Sequence, residues 1–262
     1  MKRVDSVISL IYSMSKAEKK AFSVQMLKDK EEKDYLVIYD IITKSKQLDS
    51  KNVKGEFHKR RPGGSFEVSI QYLYERLTDS LLTLRKKKDI YYDLLNNLCK
   101  ARMLYERSLF EECFEILSDT IEQATYYENN EVLTIALKLE LEYLLRLNFP
   151  NLAESELYHK HFMQNEALKK TRKIVEQSSL HNLLKYRLSH IGSIRTSKQK
   201  QDMNDLMVNE LSIAASSGIE GNFELMRNHR LFQANYLMGA GEYKAALNSY
   251  KELSRLFEQN RQ

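Results

Sequence analysis

The stretch from Met238 to Leu253, MGAGEYKAALNSYKEL, shows how this chain is built. Two glycines, Gly239 and Gly241, interrupt a helical pattern, and an acid and a tyrosine follow the second one. Beyond this interruption, small and aromatic residues recur at the three- and four-residue spacing of one helix face. The stretch therefore predicts two helices that meet at a tight turn.

The composition extends this prediction to the whole chain. Of 262 residues, 42% are apolar, and only eight are glycine and two are proline. Because backbone breakers are so few, we predict an all-α protein. For the region 89–262 the punctuation predicts helices at about 90–107, 109–126, 131–147, 151–167, 169–190, 201–216, 221–238 and 242–259.

The first 88 residues form a separate helical region in this interpretation. A first helix is expected from Val4 to Met14, and Ser15 and Glu18 have the spacing of a capping box at the start of the second. Asp49–Gly64, with one proline and three glycines, is the clearest break in the chain. The expected apolar faces of two later helices are Tyr35, Ile38, Tyr39 and Ile42, and Phe66, Ile70, Leu73, Leu77, Leu81 and Leu84.

Charge divides the chain in the same place. Residues 1–88 hold 20 Lys and Arg against 12 Asp and Glu, whereas residues 89–262 hold 21 against 24. A basic region makes nucleic acid a candidate partner. Lys59, Arg60 and Arg61 are the candidate phosphate contacts. The alternative is that these three residues lie in a solvent-exposed loop between packed helices.

One hairpin template occurs twice in the chain. The segments ARMLYERSLFEECFEIL, from Ala101, and ANYLMGAGEYKAALNSY, from Ala234, align without a gap. A small residue allows the two helices of a hairpin to approach closely, and an aromatic residue fills the space beside the turn. The matched pairs are Ala101 and Ala234, Leu104 and Leu237, Phe110 and Tyr243, Cys113 and Ala246, and Leu117 and Tyr250.

The two copies lie 133 positions apart, close to four periods of about 34 residues. The template resembles the tetratricopeptide repeat, although Arg230 stands where that family has a large aromatic residue. The resemblance implies a solenoid of helical hairpins over 89–262. The N-terminal region, with LIYSMSKAEKKAF from Leu10, resembles a group of uncharacterised bacterial helical proteins, which implies no activity.

Resemblance to peptide-binding tetratricopeptide grooves implies a partner-binding surface. On the helix from Gly221 to Met238, Asn228 and Asn235 share a face that we expect to be exposed, and side-chain amides both donate and accept hydrogen bonds. Arg102 and Tyr105 take the equivalent positions in the first copy. The alternative is a structural solenoid on which these residues are only solvated.

No grouping of residues predicts catalysis, a cofactor or a metal. Glu156 and His159 have the spacing of half a di-iron motif, but no second copy occurs. Cys99 and Cys113 are expected to be small buried side chains in a soluble, cytoplasmic protein. We therefore expect a non-enzymatic scaffold that binds a protein or peptide, with no membrane contact. The alternative is a regulator that binds nucleic acid through its N-terminal region and senses a partner through its repeat domain.

Overall fold

The structure is a computed structural model, and it describes residues 2–26, 33–44, 49–86, 88–191, 194, 196–216 and 222–260. The described residues form twelve helices and no strand, so the predicted all-α class is confirmed. The helices are α1 (Lys2–Ser13), α2 (Lys16–Met26), α3 (Asp34–Lys44), α4 (Ser50–Arg60), α5 (Phe66–Lys86), α6 (Ile90–Glu106), α7 (Phe110–Tyr126), α8 (Asn130–Arg146), α9 (Glu154–Ile191), α10 (Ser197–Ser216), α11 (Phe223–Gly239) and α12 (Tyr243–Gln259).

The chain divides into two units, Met1–Asn96 and Asn97–Gln262, which we call the N-terminal and C-terminal units. The division falls within α6, whereas the charge pattern places a boundary at residue 88; that boundary stays a prediction. Among the described residues, no helix combines the length and the apolar composition that crossing a bilayer requires.

The core of the N-terminal unit lies around α3 and α5. The predicted faces of both helices are largely confirmed, because Ile38, Ile42, Leu73 and Leu77 are fully buried. The predicted capping box is also confirmed. The Ser15 backbone N–H donates to Glu18 Oε2 at 2.7 Å, and the Glu18 N–H donates to Ser15 Oγ at 3.3 Å. The sequence pattern also places Leu27 in the second helix, and this residue lies outside the described residues.

Most of the predicted break at 49–64 is in fact a helix, α4. Asp49 caps α4 by accepting from the Asn52 N–H at 2.8 Å, and Val53 and Phe57, one turn apart, are completely buried. The burial of these two side chains outweighs the low helix propensity of Gly55. The chain leaves the helix only at Arg61, the residue before Pro62, where the proline ring disfavours helical backbone.

Helices α6, α7 and α8 are each 17 residues long and end, within the C-terminal unit, in the same motif. Ser108, Glu128 and Asn148 adopt left-handed backbone angles, with φ of 59°, 52° and 58°. At each site two backbone hydrogen bonds close the helix end, as from the Leu109 N–H to the Leu104 carbonyl and from the Ser108 N–H to the Tyr105 carbonyl. Gly241 completes the same motif after α11.

This repeated ending sets the helix-to-helix spacing from α6 to α8, which agrees with the predicted helices at 90–107, 109–126 and 131–147. Ser108, Glu128 and Asn148 follow one another every 20 residues, whereas a repeat of about 34 residues allows about 17 per helix. Between the two copies of the hairpin template, the described residues form three helices, α8, α9 and α10. The 20-residue spacing from α6 to α8 is longer than that of a regular 34-residue repeat, and the tetratricopeptide-like arrangement stays a prediction.

The sequence predicts two helices over 151–190, but the structure has one continuous helix, α9, of 38 residues. Its length is about 57 Å at 1.5 Å per residue. No glycine or proline lies between residues 151 and 191, and Ala167, at the predicted joint, is buried within the helix. The apolar residues of α9 do not keep to one face of the helix, because several helices pack against it. These helices are α8, α10 and α11.

Helices α9 to α12 are tied together by close packing and by ion pairs. A Cβ atom added at Gly239 of α11 would lie 2.4 Å from Leu188 of α9, so these helices approach closely. Arg187 of α9 donates to both carboxylate oxygens of Asp205 on α10, at 2.9 and 3.2 Å.

The small residues of the hairpin template are buried as expected. Ala101, Cys113, Ala234 and Ala246 have no exposed surface, and burial raises the pKa of the Cys113 thiol. Cys99 is exposed, so the prediction that it is a buried side chain is wrong.

Arg230, which stands where the tetratricopeptide family has a large aromatic residue, pairs with Glu252 of α12 at 3.0 Å.

Candidate functional site

Arg102 and Tyr105 lie on α6, and each has a partner within the C-terminal unit. The Tyr105 ring stacks on Tyr143 of α8, with ring centroids 3.7 Å apart and planes within 7°. Arg102 is exposed and pairs with Glu106 one turn along its own helix, at 3.2 Å. Tyr105 is half-buried and joins α6 to α8, whereas Arg102 is exposed to solvent.

Asn228 is buried, so the expectation that it lies on an exposed face is wrong. It is 7% exposed, its Oδ1 accepts from the neighbouring Arg227, and its Nδ2 lies 3.5 Å from Ser178 Oγ on α9. The face of α11 that carries Asn228 is covered by α9, which packs against it.

Asn235, two turns further along α11, is also engaged inside the protein. Its Nδ2 donates to the Leu231 carbonyl at 2.8 Å and to His181 Nε2 at 3.0 Å, and its Oδ1 accepts from the Tyr250 hydroxyl at 3.3 Å. Burial, reinforced by the charge of Lys185, lowers the pKa of His181. Neutral His181 is the form that can accept this hydrogen bond. Partner binding by Asn228 and Asn235 stays a prediction, but both amides already have partners.

The three basic candidates of the N-terminal unit lie against carboxylates. Lys59 contacts Glu56 at 2.7 Å, Arg60 contacts Asp40 at 3.0 Å, and Arg61 contacts Asp34 at 3.6 Å. Each pair offsets one of the positive charges that a phosphate backbone would attract. The structure thus brings these residues to one end of α4, where their charge is compensated locally.

A groove between α8 and α9 is the clearest candidate site in the C-terminal unit. We call it the α8–α9 groove, and its volume is about 520 Å³. Such a volume lies within the usual range of ligand pockets. Its apolar wall comprises Ile121, Leu137, Leu144, Leu152 and Met163, and its polar residues are Glu140, Ser155, Glu156, His159 and Lys160.

Glu140 is the buried acid of this groove. The residue is 6% exposed, and its Oε1 accepts from Lys160 Nζ at 2.8 Å. Its second oxygen, Oε2, has no hydrogen-bond partner among the described residues. A buried carboxylate oxygen without a partner is costly to leave unsatisfied, so Glu140 favours a ligand that supplies a hydrogen-bond donor.

The local sequence explains how Glu140 reaches this position. It follows Leu137 by three residues and precedes Leu144 by four, so all three lie on the same face of α8. The residues that face it from α9 follow the same spacing, from Ser155 to Met163. Near the start of α9, Glu156 accepts from the Ala153 N–H at 3.3 Å, which fixes the first turn beside the groove.

Glu156 and His159, the predicted half of a metal motif, both line this groove and are exposed. No group of three or more His, Cys, Asp or Glu side chains that could hold a metal ion occurs within the described part of the chain.

Sequence reasoning missed Glu140, although a signal was present. The acid interrupts the apolar face formed by Leu133, Leu137, Leu141 and Leu144, in the way that Arg230 interrupts the face of α11. A single charge within an otherwise apolar face indicates either a buried pair or a binding site. Glu140 forms a buried pair with Lys160, and its unpartnered oxygen Oε2 gives it the character of a binding site as well.

A second buried acid lies between α10 and α11. Glu210 is fully buried, its Oε1 lies 2.7 Å from His229 Nδ1, and its Oε2 has no partner among the described residues. On α9, Gln177 is buried with neither side-chain polar atom hydrogen-bonded to the described chain. These groups belong to a packed interior, whereas Glu140 lines a groove.

Together these features define an all-helical protein with a groove that contains a buried acid. Comparison with protein-family models, with curated proteins and with solved structures finds no match to the chain.

Proposed function

We propose that the C-terminal unit is a non-enzymatic binding module that holds a basic side chain of a peptide or protein partner in the α8–α9 groove. The observation that carries the proposal is the unpartnered Oε2 of Glu140, a carboxylate oxygen buried among apolar side chains. A lysine or arginine side chain supplies the missing donor, and its aliphatic stem suits the apolar wall.

Access to Glu140 needs only a small local movement. Its Oε2 has almost no exposed surface, while Oε1 is held by Lys160, whose side chain is 24% exposed. Rotation about the last torsion of a glutamate exchanges its two oxygens within a broad energy well. An incoming guanidinium or ammonium group can therefore share the carboxylate with Lys160 or displace it towards solvent.

The arrangement of the helices supports a tetratricopeptide-like array as the framework of this module. Contacts between α9 and α11 advance in the same direction along both helices, from Ser178 and Asn228 to Leu188 and Gly239. Helices α10 and α12 pack against these two, as the second helices of hairpins do. In this proposal the α8–α9 groove replaces the concave face implied by Asn228 and Asn235.

The proposal is tested by selecting random displayed peptides on the immobilised full chain and then measuring the affinity of the enriched peptides. We expect enrichment of a lysine or arginine beside apolar residues. Glu140→Gln should weaken these peptides about 30-fold, or ~2 kcal/mol, because it removes one partner of a buried charge pair.

The matched control is Glu115→Gln, which removes the same charge from an exposed position of α7. It should leave peptide affinity unchanged, and melting curves of both variants verify that the fold is intact. Enrichment without basic residues, or equal peptide affinity for wild type and Glu140→Gln, would refute the proposal.

A further inference from the structure

The N-terminal unit contains a cavity of about 400 Å³ that none of the candidate residues above lines. It lies between α1, α4 and α5. The residues around it are Arg3, Val4, Ser50, Lys51, Lys54, Phe66, Glu67, Ile70 and Gln71. The cavity combines an apolar floor with a positively charged rim.

Three buried side chains form the floor. Val4, Phe66 and Ile70 are 7%, 2% and 4% exposed, and they belong to the main core of this unit. Because these residues are held by the core, their exposed edges form a preformed apolar surface. Such a surface suits the hydrocarbon or aromatic part of a small molecule.

The rim carries three cations and one acid. Lys54 pairs with Glu67 at 2.5 Å, which leaves the charges of Arg3 and Lys51 without a carboxylate partner among the described residues. The Arg3 guanidinium lies over the Tyr74 ring, 4.2 Å from its centroid, so this group is held beside the cavity. The lining therefore has a net charge of +2, counted as three cations minus Glu67.

The neighbouring helix end does not provide this charge. Asp49 already caps α4 and places a carboxylate at its N-terminus, which offsets the positive end of the helix dipole. Recognition of an anion here therefore depends on the Arg3 and Lys51 side chains, with the Ser50 hydroxyl as a further donor.

We propose that this cavity binds a small organic anion, with its apolar body on Val4, Phe66 and Ile70 and its phosphate or carboxylate group between Arg3 and Lys51. This site lies near the start of α4, away from the basic residues at the other end of that helix. Those residues differ from Arg3 and Lys51 in that each is paired with an acid, as the contacts of Lys59, Arg60 and Arg61 show. The site is also independent of the α8–α9 groove, which belongs to the C-terminal unit.

The test uses calorimetric titration of the full chain at low ionic strength with four probes: 1-naphthyl phosphate, 1-naphthoate, neutral 1-naphthol and inorganic phosphate. We expect at least one naphthyl anion to bind about 10-fold more tightly than both naphthol and inorganic phosphate. The tighter of the two anions identifies the acidic group that the site favours. Binding of naphthol or of inorganic phosphate as tight as that of both anions would overturn the proposal, as would no binding of either anion.

The variants Lys51→Gln and Arg3→Gln locate the site. Each should weaken the favoured anion about 5- to 10-fold, because a charged hydrogen bond at a half-open rim is lost. Lys16→Gln is the matched control, since it removes an exposed positive charge of α2 outside the cavity. Unchanged affinity in both rim variants, or an equal loss in the control, would contradict the proposed site. Melting curves confirm that each variant is folded.

Discussion

The interiors of the two units differ in what they bury. The N-terminal unit packs valine, isoleucine, phenylalanine and tyrosine, and its buried polar residues among those described are Ser69 and Ser80. The C-terminal unit buries carboxylates and amides. These are Asn130, Glu140, Gln177, Glu210, Asn222 and Asn228.

This difference separates two ways of holding helices together. Apolar packing in the N-terminal unit is non-directional and has no charge to titrate. Buried polar groups in the C-terminal unit require partners with defined geometry, and each unsatisfied group costs free energy. The comparison teaches that core substitutions should dominate the stability of the first unit, whereas pH and charge substitutions should affect the second.

The largest expected effect is in the N-terminal core. Phe57 is fully buried on α4, where it packs 5.5 Å from the Phe66 ring centroid. Phe57→Ala removes most of a buried aromatic side chain and should lower the free energy of unfolding by about 3–5 kcal/mol, as measured by urea denaturation. The control is Val68→Ala, at an exposed position of α5, which should change it by less than ~0.5 kcal/mol. An equal decrease in the free energy of unfolding for the two variants would show that α4 does not contribute to the core.

The next effect tests the polar interior of the C-terminal unit. Glu210→Ala leaves the His229 imidazole without its buried hydrogen-bond partner and should cost about 1–3 kcal/mol in the same measurement. Glu210→Gln should cost less, because its amide oxygen can still accept a hydrogen bond from the imidazole. If Glu210→Ala proves as stable as wild type, the contrast between the two interiors does not extend to stability.

The smallest expected effect is a pH dependence from His181. Its folded pKa lies below the ordinary value, so as pH falls through about 6.5 the unfolded chain takes up this proton first. The unfolded state then binds more protons, and the free energy of unfolding should decrease until the pH is below the folded pKa of His181.

His181→Gln removes this contribution and can retain the hydrogen bond to Asn235. Denaturation at pH 8.0 and pH 5.5 should show a smaller loss of stability for this variant than for wild type. An identical loss in the two proteins would mean that protonation of His181 is not linked to folding.

Local sequence signals predicted where helices form with good success, because helix propensity and capping act over one or two turns. Ser15 and Glu18 form the predicted capping box, and the predicted apolar face of α5 packs into the core through Phe66 and Leu77. The same local rules failed where packing compensated for a poor signal. Gly55 suggested a break, yet buried Val53 and Phe57 hold α4 together.

The turns between helices were predicted in position, since the boundaries at 107/109 and 126/131 agree with α6, α7 and α8, but their backbone conformation was not predicted. Glycine marks the left-handed position at Gly241, and there the sequence predicted the turn. At Ser108 and Glu128 the same backbone conformation is adopted by residues that seldom favour it. Two backbone hydrogen bonds and the packing of the neighbouring helices stabilise that conformation, and neither is visible in a local pattern.

The candidate sites depended even more on tertiary structure. Asn228 and Asn235 are correctly placed on α11, but α9 covers that surface and uses both amides. In the sequence Glu140 is visible only as a charge within an apolar face, and it becomes a candidate ligand-binding group because Leu137, Leu144 and α9 surround it.

By itself, then, the sequence determined the helical state of the chain, the positions of most helices and the close approach at small residues such as Ala246. These features follow from interactions within a turn or across one hairpin. The tertiary structure alone decided that α9 continues through residue 168 and that Glu140 has an unpartnered oxygen. The physical reason is that burial depends on which helices become neighbours, and that choice involves residues far apart in the chain.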